Sequence, residues 1–437
     1  MPGPSKRRQQ PVDKFHPYGG TASSPKNKKQ GSSGPSEAGV GPIQPSTTYS
    51  HGQASIISAF PRIPKISRKR GVVQTRDDLA ELSDFSDNSS DGLPQWYLDI
   101  DLSKPSTQTS IRRTTTIELR RIIILMNDFD DRYGNISPYD CDDFFNKIRS
   151  QLHCLTLMTV NSAELKQVRT LDRDRGLPRL FDSSEAKEKY PWDIVLDAQE
   201  LYNKWADQQL DPYLLAGIQI NYPEGDRSRT RVSMELDKSY PRTSARFFGD
   251  DGLVNGQWFP TQLCALRDGA HGALQGGIYG SSEGEGAYSV VMKDSHYEDR
   301  DDGDVVWYCG TDSAGNFKIT ADTQYLRDSV RTGNPVRLLR GSQKITKKGK
   351  KQSTPELDEQ HKYRPEMGLR YDGLYDVVQE RELDSAIGKW IFKLVRREGQ
   401  HPIRWEGLEA RPTQNELKEW KRIKEVDLRQ NEYGYTE

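Results

Sequence analysis

Hydrophobic positions are unevenly distributed along this chain. From residue 1 to about 110, Ser, Pro, Gly and Gln dominate, and aliphatic side chains are too sparse to offset the entropy of ordering the backbone. The pattern predicts a long disordered N-terminal tail over 1–112. Beyond it, apolar residues recur at helical spacing. Thr115-x-x-Glu118 reads as a capping box ahead of the apolar run Leu119 to Met126. Phe144, Phe145, Ile148 and Leu152 share one face of a helix predicted over Cys141 to Leu155. Asp182-x-x-Glu185 opens a third segment that ends in the stripe Ile194, Ala198, Leu201 and Trp205, spaced as one helix face requires. A small helical bundle over 113–215 follows.

From Tyr240 the period shortens. Seven strand-like runs broken by Gly and Asp follow: Gln257 to Phe259, Gly277 to Tyr279, Tyr288 to Met292, Val305 to Cys309, Val336 to Arg340, Leu374 to Val378 and Trp390 to Val395. They predict a curled, largely antiparallel sheet or barrel, giving an α+β chain. Thr413-x-x-Glu416 then caps a C-terminal helix over 413–431, with Leu417, Trp420, Ile423 and Val426 stepping along it.

Composition adds segregation of charge. The formal net charge of −1 hides twelve Lys or Arg against two acids before Thr75, then eight acids and no base from Asp77 to Asp101. The basic clusters around Lys6, Lys28 and Lys69 fit nuclear import signals, nonspecific DNA contacts or plain solvated charge. Gln53 to Phe60 is faintly similar to the peptide that docks on the replication sliding clamp. The acidic stretch, with Ser83, Ser86, Ser89 and Ser90, suits acidophilic kinases, mimicry of a nucleic-acid backbone or a solubilising linker. The four cysteines show no metal-ligand spacing, so no structural metal or disulfide framework is expected. The longest aliphatic run, Ile122 to Met126, is far short of the roughly 20 residues that span a bilayer, so a soluble intracellular protein without a membrane partner is expected.

The stretch most suggestive of chemistry is Gly286 to Gly310, in which two strands flank a turn holding Tyr297, Glu298, Asp299, Arg300, Asp301, Asp302 and Gly303. In order along the chain stand Phe248-Gly249, Gly256 to Phe259, His271 with Gln275 to Gly280, Gly286 to Ser289, Tyr297 to Asp299, Gly303-Asp304, Trp307-Tyr308, Pro335 to Arg337, and Arg370 to Tyr375 with its Tyr371-Asp372-Gly373 tripeptide. This series resembles the SRA domain, also called the YDG domain, of the stand-alone, fungal type, over residues 238–408. The resemblance implies a PUA-like, saddle-shaped and mainly antiparallel β-barrel that binds double-stranded DNA carrying 5-methylcytosine and rotates the modified base into a pocket. By motif position, Tyr297 and Tyr308 would sandwich the base, with Gly303 and Cys309 beside it. A carboxylate would accept from the cytosine amine, as acids do for cytosine; Asp299 and Asp301 are rivals for that role, with Asp299 slightly preferred. Gln275 would fill the gap left in the duplex.

Phosphate contacts are expected at Arg337, Arg340, Arg370, Lys393 and the lysines Lys344, Lys347, Lys348, Lys350 and Lys351. The tripeptide is assigned mainly to folding. The finger that enters the major groove in the family is poorly matched by Asp312 to Thr320, which offers Asn316 and Lys318.

No SET, RING or nuclease pattern accompanies these motifs, so neither a catalytic residue nor a cofactor is expected. The reading is a nuclear, non-catalytic reader of methylated DNA in chromatin. Its rivals are a modification-dependent endonuclease with a divergent site and a chromatin scaffold whose barrel no longer flips bases. Ala198-x-x-Leu201-x-x-x-Trp205 loosely resembles the N-terminal helical domain of transcription elongation factor S, which makes the bundle a candidate platform for chromatin or transcription proteins; the stripe could equally be core.

Overall fold

A computed structural model describes residues 92–103, 111–221, 233–293, 297–313, 318–342 and 361–426. The basic stretch of the tail, residues 77–91 of the acidic one, Asn316, the five lysines from Lys344 to Lys351 and the last residues of the predicted C-terminal helix lie outside them. Residues 92–103, expected to be part of the disordered tail, instead carry a short helix whose Tyr97 is buried in the helical core.

The helical region comprises α1 (Gln95–Leu98), α2 (Arg113–Arg132), α3 (Pro138–Leu155), α4 (Ser162–Val168), α5 (Ser184–Lys189) and α6 (Trp192–Ala206). Leu119, Ile122, Met126 and Phe129 from α2 meet Ile148 and Leu152 from α3 and Ile194, Ala198, Leu201 and Trp205 from α6 in one core. The α6 stripe is thus packed inward.

Three local expectations are corrected. Thr115 is not a cap: α2 begins at Arg113, because the backbone and guanidinium of Arg112 are both anchored by buried Glu164. Glu164 also closes a capping box with Asn161 at the start of α4. The third predicted segment is two helices, since Pro191 after Tyr190 forces extended backbone between them; Ser183, not Asp182, caps the first by accepting from the Ala186 N–H at 2.9 Å.

After a small hairpin of β1 (Ile218–Asn221) and β2 (Ser233–Leu236), the chain enters an eight-stranded sheet. Its strands are β3 (Trp258–Phe259), β4 (Ile278–Ser281), β5 (Gly286–Met292), β6 (Arg300–Asp301), β7 (Val305–Cys309), β8 (Val336–Gly341), β9 (Leu369–Asp384) and β10 (Lys389–Arg396). The order is β4-β5-β8-β9-β10-β7-β6, with β3 paired to the start of β9. Only β5 and β8 run parallel. The sheet is mainly antiparallel as expected, but among the described residues no ladder joins β4 to β6, so it stays open rather than closing into a barrel. Among the described residues it is accompanied by α7 (Gln262–Arg267), α8 (Ala321–Thr332) and α9 (Gln414–Val426). Thr413 and Glu416 form a reciprocal cap on α9, and Trp420 and Ile423 pack with Phe259, Leu263 and Tyr371. No described helix is long and apolar enough to cross a membrane.

The helical region is tied to the sheet by buried charge. Asp197 on α6 receives both arms of Arg404 at 2.5 and 3.0 Å and one from Arg411 at 3.0 Å. Arg411 continues to Glu200 and to Glu416 on α9. Burial alone would raise the Asp197 carboxyl, but Arg404 and Arg411 hold it well below the usual range; Lys204 and Arg411 likewise bring Glu200 down to about 2 against its burial.

Candidate nucleic-acid interface

The β6–β7 hairpin carries the acidic turn. At its apex Gly303 adopts φ +81°, and a Cβ there would meet the Tyr363 ring at 2.7 Å, so only glycine fits. The Gly303 N–H donates to Asp301 Oδ1 at 3.1 Å, and its carbonyl accepts from Arg340 at 2.7 Å and from the Tyr375 hydroxyl at 3.0 Å. Arg340 is fully buried and binds Asp301 through two nitrogens, at 2.7 and 2.8 Å. Its third nitrogen reaches Asp372 of the Tyr-Asp-Gly tripeptide, which is also held by Arg370. The tripeptide therefore anchors the turn to the sheet from beneath.

This arrangement separates the two rival carboxylates. Asp301 is 3% exposed, and its carboxylate is held by Arg340 and the Gly303 N–H. Asp299 is half-buried, accepts from the Cys309 N–H at 2.8 Å, and sits close enough to Tyr308 for its charge to oppose the tyrosine's ionisation. Burial raises the Asp299 carboxyl above its ordinary value, while the Cys309 N–H and the Arg364 charge pull the other way. Tyr297 acts on Tyr308 in the same manner, and so does Asp322 at the start of α8, which the motif gave no reason to single out; Tyr297, Asp299, Cys309 and Asp322 thus lie within electrostatic reach of Tyr308. The Cys309 thiol is pushed up to about 12 by burial and then by Asp299, and stays protonated at neutral pH.

Tyr308 is 6% exposed, and its hydroxyl donates to the carbonyls of Gly277 and Val291 at 3.2 and 3.4 Å. A Cβ at Gly277 would lie 2.6 Å from that hydroxyl. Tyr308 is thereby fastened to the loop that presents Gln275. Gln275 is exposed beside Leu274, at the tip of a loop whose base is immobilised. Gln262 donates to the carbonyls of Ala273 and Gly276, both at 2.8 Å. His271, fully buried and depressed to about 4 by that burial, is neutral: Nε2 donates to the Gly276 carbonyl at 3.0 Å and Nδ1 accepts from Ser289 at 2.8 Å. Sequence reading noted His271 within the motif but missed this bracing role, as well as that of Gln262 on α7.

The three arginines expected to contact phosphate do not face solvent. Arg337 lies 3.7 Å from the Phe247 ring centroid and donates to the carbonyls of Ala245, Phe247, Gly249 and Ala270. Burial brings it down to about 10. Arg340 and Arg370 belong to the cluster under the turn, with Arg370 also donating to the carbonyls of Tyr363, Arg404 and Arg411. The reason is strand position: β8 lies between β5 and β9 and is buried along its whole length. Lys393 alone of the described candidates is partly exposed, 5.9 Å from the Trp307 ring centroid. Among the described residues, no three His, Cys, Asp or Glu side chains gather as a metal site would require.

Comparison with known proteins places residues 247–400 in the SAD/SRA domain. The chain is 33% identical over 189 residues to the E3 ubiquitin-protein ligase UHRF2 of Homo sapiens, an alignment covering 36% of this chain and 22% of that protein. It is 31% identical over 174 residues to the UHRF1-like protein of Cryptococcus neoformans, covering 35% of this chain and 46% of the relative. The chain therefore spans less than half the length of these curated relatives. Among solved structures, the SRA domain of SUVH5 in complex with hemi-methylated CG DNA matches at 27% identity over 37% of this chain and all of that one, with a TM-score of 0.28.

Proposed function

We propose that this chain, which carries a SAD/SRA domain at residues 247–400, is a nuclear, non-catalytic reader of double-stranded DNA containing 5-methylcytosine, and that it flips the modified base between Tyr297 and Tyr308. The observation that carries this reading is Asp299, a half-buried carboxylate held by the Cys309 N–H beside Tyr308, whose ionisation it and Tyr297 both oppose, next to Asp301, which Arg340 grips through two nitrogens. A base taken from its stack loses a few kcal/mol, which flat aromatic walls and hydrogen bonds to its polar edge restore. Asp299 offers the acceptor for the cytosine amine. Gln275, presented on its braced loop, supplies an amide to pair with the orphaned guanine.

The SRA domain supports DNA binding without supplying a catalytic group. Band-shift titrations with matched unmodified, hemimethylated and fully methylated duplexes test the reading. Tighter binding of at least one methylated duplex is expected. Equal affinity for all three sinks the reader, and magnesium-dependent cutting of methylated duplex replaces it with a nuclease.

A further inference from the structure

The strands around the candidate pocket have two faces of different character. Tyr308 and Phe392 point into the core that includes Leu326 of α8, and Glu380 pairs with Arg327 of the same helix at 2.8 Å. Alternation along the strands puts Trp307, Lys393 and Arg381 on the opposite face. There Trp307 is half-buried, and Lys393 and Arg381 both lie 5.9 Å from its ring centroid. Arg300 stands opposite Trp307 in the β6–β7 ladder, with 64% of its side chain exposed. Val378, the extra residue where the β9–β10 ladder shifts register beside Lys393, is 51% exposed.

Three cations and two apolar side chains thus come together on the far side of the sheet from Tyr308. Among the described residues neither Arg381 nor Lys393 has an ion-pair partner, and Arg300 pairs only with Asp302 on its own exposed turn, at 2.8 Å, a contact of small worth. Exposed apolar groups beside such cations suit an occupant that carries both carboxylates and apolar side chains.

The chain itself holds such a segment. From Asp77 to Asp91 stand six acids and no Lys or Arg, and Leu79, Leu82 and Phe85 recur every third residue among them. The segment ends directly before Gly92, where the described residues begin. Shortly after it, Tyr97 is buried in the helical core with its hydroxyl donating to Asp172 at 2.8 Å. Asp197 ties that core to Arg404 and Arg411, which follow β10. The acidic segment is therefore held beside the folded body, at the high effective concentration that a short tether gives.

We propose that residues 77–91 dock on the surface formed by Trp307, Val378, Arg300, Arg381 and Lys393, with their carboxylates on the three cations and Phe85 against the indole. The inference goes beyond the reading above and does not rest on it, because it concerns the face of the sheet away from Tyr308. Its consequence for that reading is electrostatic: an acidic segment held on this face leaves the pocket side clear of negative charge that would repel a duplex.

The test is photo-crosslinking in the full chain with p-benzoylphenylalanine in place of Phe85, the products mapped by mass spectrometry. A crosslink within one chain to β7, β9 or β10 around Trp307 is expected, weakening as salt rises because exposed pairs are screened. Each exposed ion pair is worth a factor of about two, so Arg300→Gln/Arg381→Gln/Lys393→Gln should lower the ratio of docked to undocked chain roughly eightfold. Arg381→Glu/Lys393→Glu should abolish the crosslink, and adding Asp84→Lys/Asp87→Lys should restore it, a recovery that misfolding cannot produce.

Crosslinks that fall elsewhere, or that the charge variants leave unchanged, overturn the proposal. Crosslinks between isotopically labelled and unlabelled chains would give the surface to a second copy, and loss of the crosslink on adding unmodified duplex would give it to nucleic acid; either result also overturns it. None of these outcomes depends on whether the chain prefers methylated DNA.

Discussion

Two clusters of buried arginine and carboxylate sit in this molecule and do different work. Under the acidic turn, Arg340 and Arg370 share Asp372, and Arg340 grips Asp301, all within one sheet and its loops. At the seam with the helical region, Arg404 and Arg411 reach Asp197 and Glu200 across more than 200 positions of sequence. The two touch, because Arg370 donates to the carbonyls of both Arg404 and Arg411. The first cluster fixes the path of a turn that carries a candidate binding residue; the second fixes where one folded region lies against another. Buried ion pairs add little net stability over well-packed apolar groups. What these clusters add is geometry, since each carboxylate has one arrangement in which all its partners are satisfied.

Breaking the first cluster is the sharpest test of that contrast. Arg340→Met leaves Asp301 and Asp372 facing each other without their shared cation, and removal of one partner from a buried pair costs about 3–5 kcal/mol. Chemical denaturation should show that loss, and the surviving folded protein should lose any preference for methylated DNA because the turn is no longer held. Asp197→Asn attacks the second cluster. Glu200 and Glu416 still face Arg411, so the loss should fall at the lower end of about 3–5 kcal/mol. Here the methyl preference should persist; if it disappears, the seam and the pocket are one unit and the contrast is wrong.

Acid offers a third probe. Asp197, Glu200 and Asp372 all have folded-state values below their unfolded ones. Their stabilisation is therefore complete above about pH 4.5 and is lost as pH falls through the folded values. For Glu200, the fall from 4.5 to about 2 corresponds to up to roughly 3 kcal/mol. Glu200→Gln should flatten the decline in stability between about pH 4.5 and 2, as followed by intrinsic fluorescence. An unchanged acid profile would show that the seam does not depend on this carboxylate.

The ordered motifs around the turn identified the domain, and apolar periodicity located the helical core, because both signals are local. Neither of the two clusters was legible. Val336 to Arg340 reads as a strand whether it lies at an edge or in the middle, so its arginines looked available for phosphate. Only the pairing of β8 between β5 and β9 buries them. What distinguishes Asp301 from Asp299 likewise lies in Arg340, 39 residues from Asp301. Other misses were avoidable: Pro191 and the Asn161-x-x-Glu164 box are sequence signals that the helix boundaries did not use. Trp307 was read as a strand residue and part of the ordered motif, without its cation neighbours, since Arg381 and Lys393 come from other strands.

Smaller changes separate the pocket rim from its support. Tyr297→Ala is expected to cost about 1–3 kcal/mol of methyl-dependent binding, the worth of one stacked base, with little change in the unfolding midpoint. Tyr308 needs a gentler substitution, because a buried ring cut to alanine loses about 3–5 kcal/mol of folding stability and confounds any binding result. Tyr308→Phe keeps the ring and removes only the donor to Gly277 and Val291. Each such bond contributes about 0.5–1.5 kcal/mol, and the two carbonyls retain backbone partners in part, since Val291 N–H still donates to Gly277 at 2.7 Å. Stability should therefore fall by about 1 kcal/mol. Binding should fall with it only if the hydroxyl aligns the wall with the Gln275 loop, and loss of binding without any loss of stability would place the hydroxyl on the base instead.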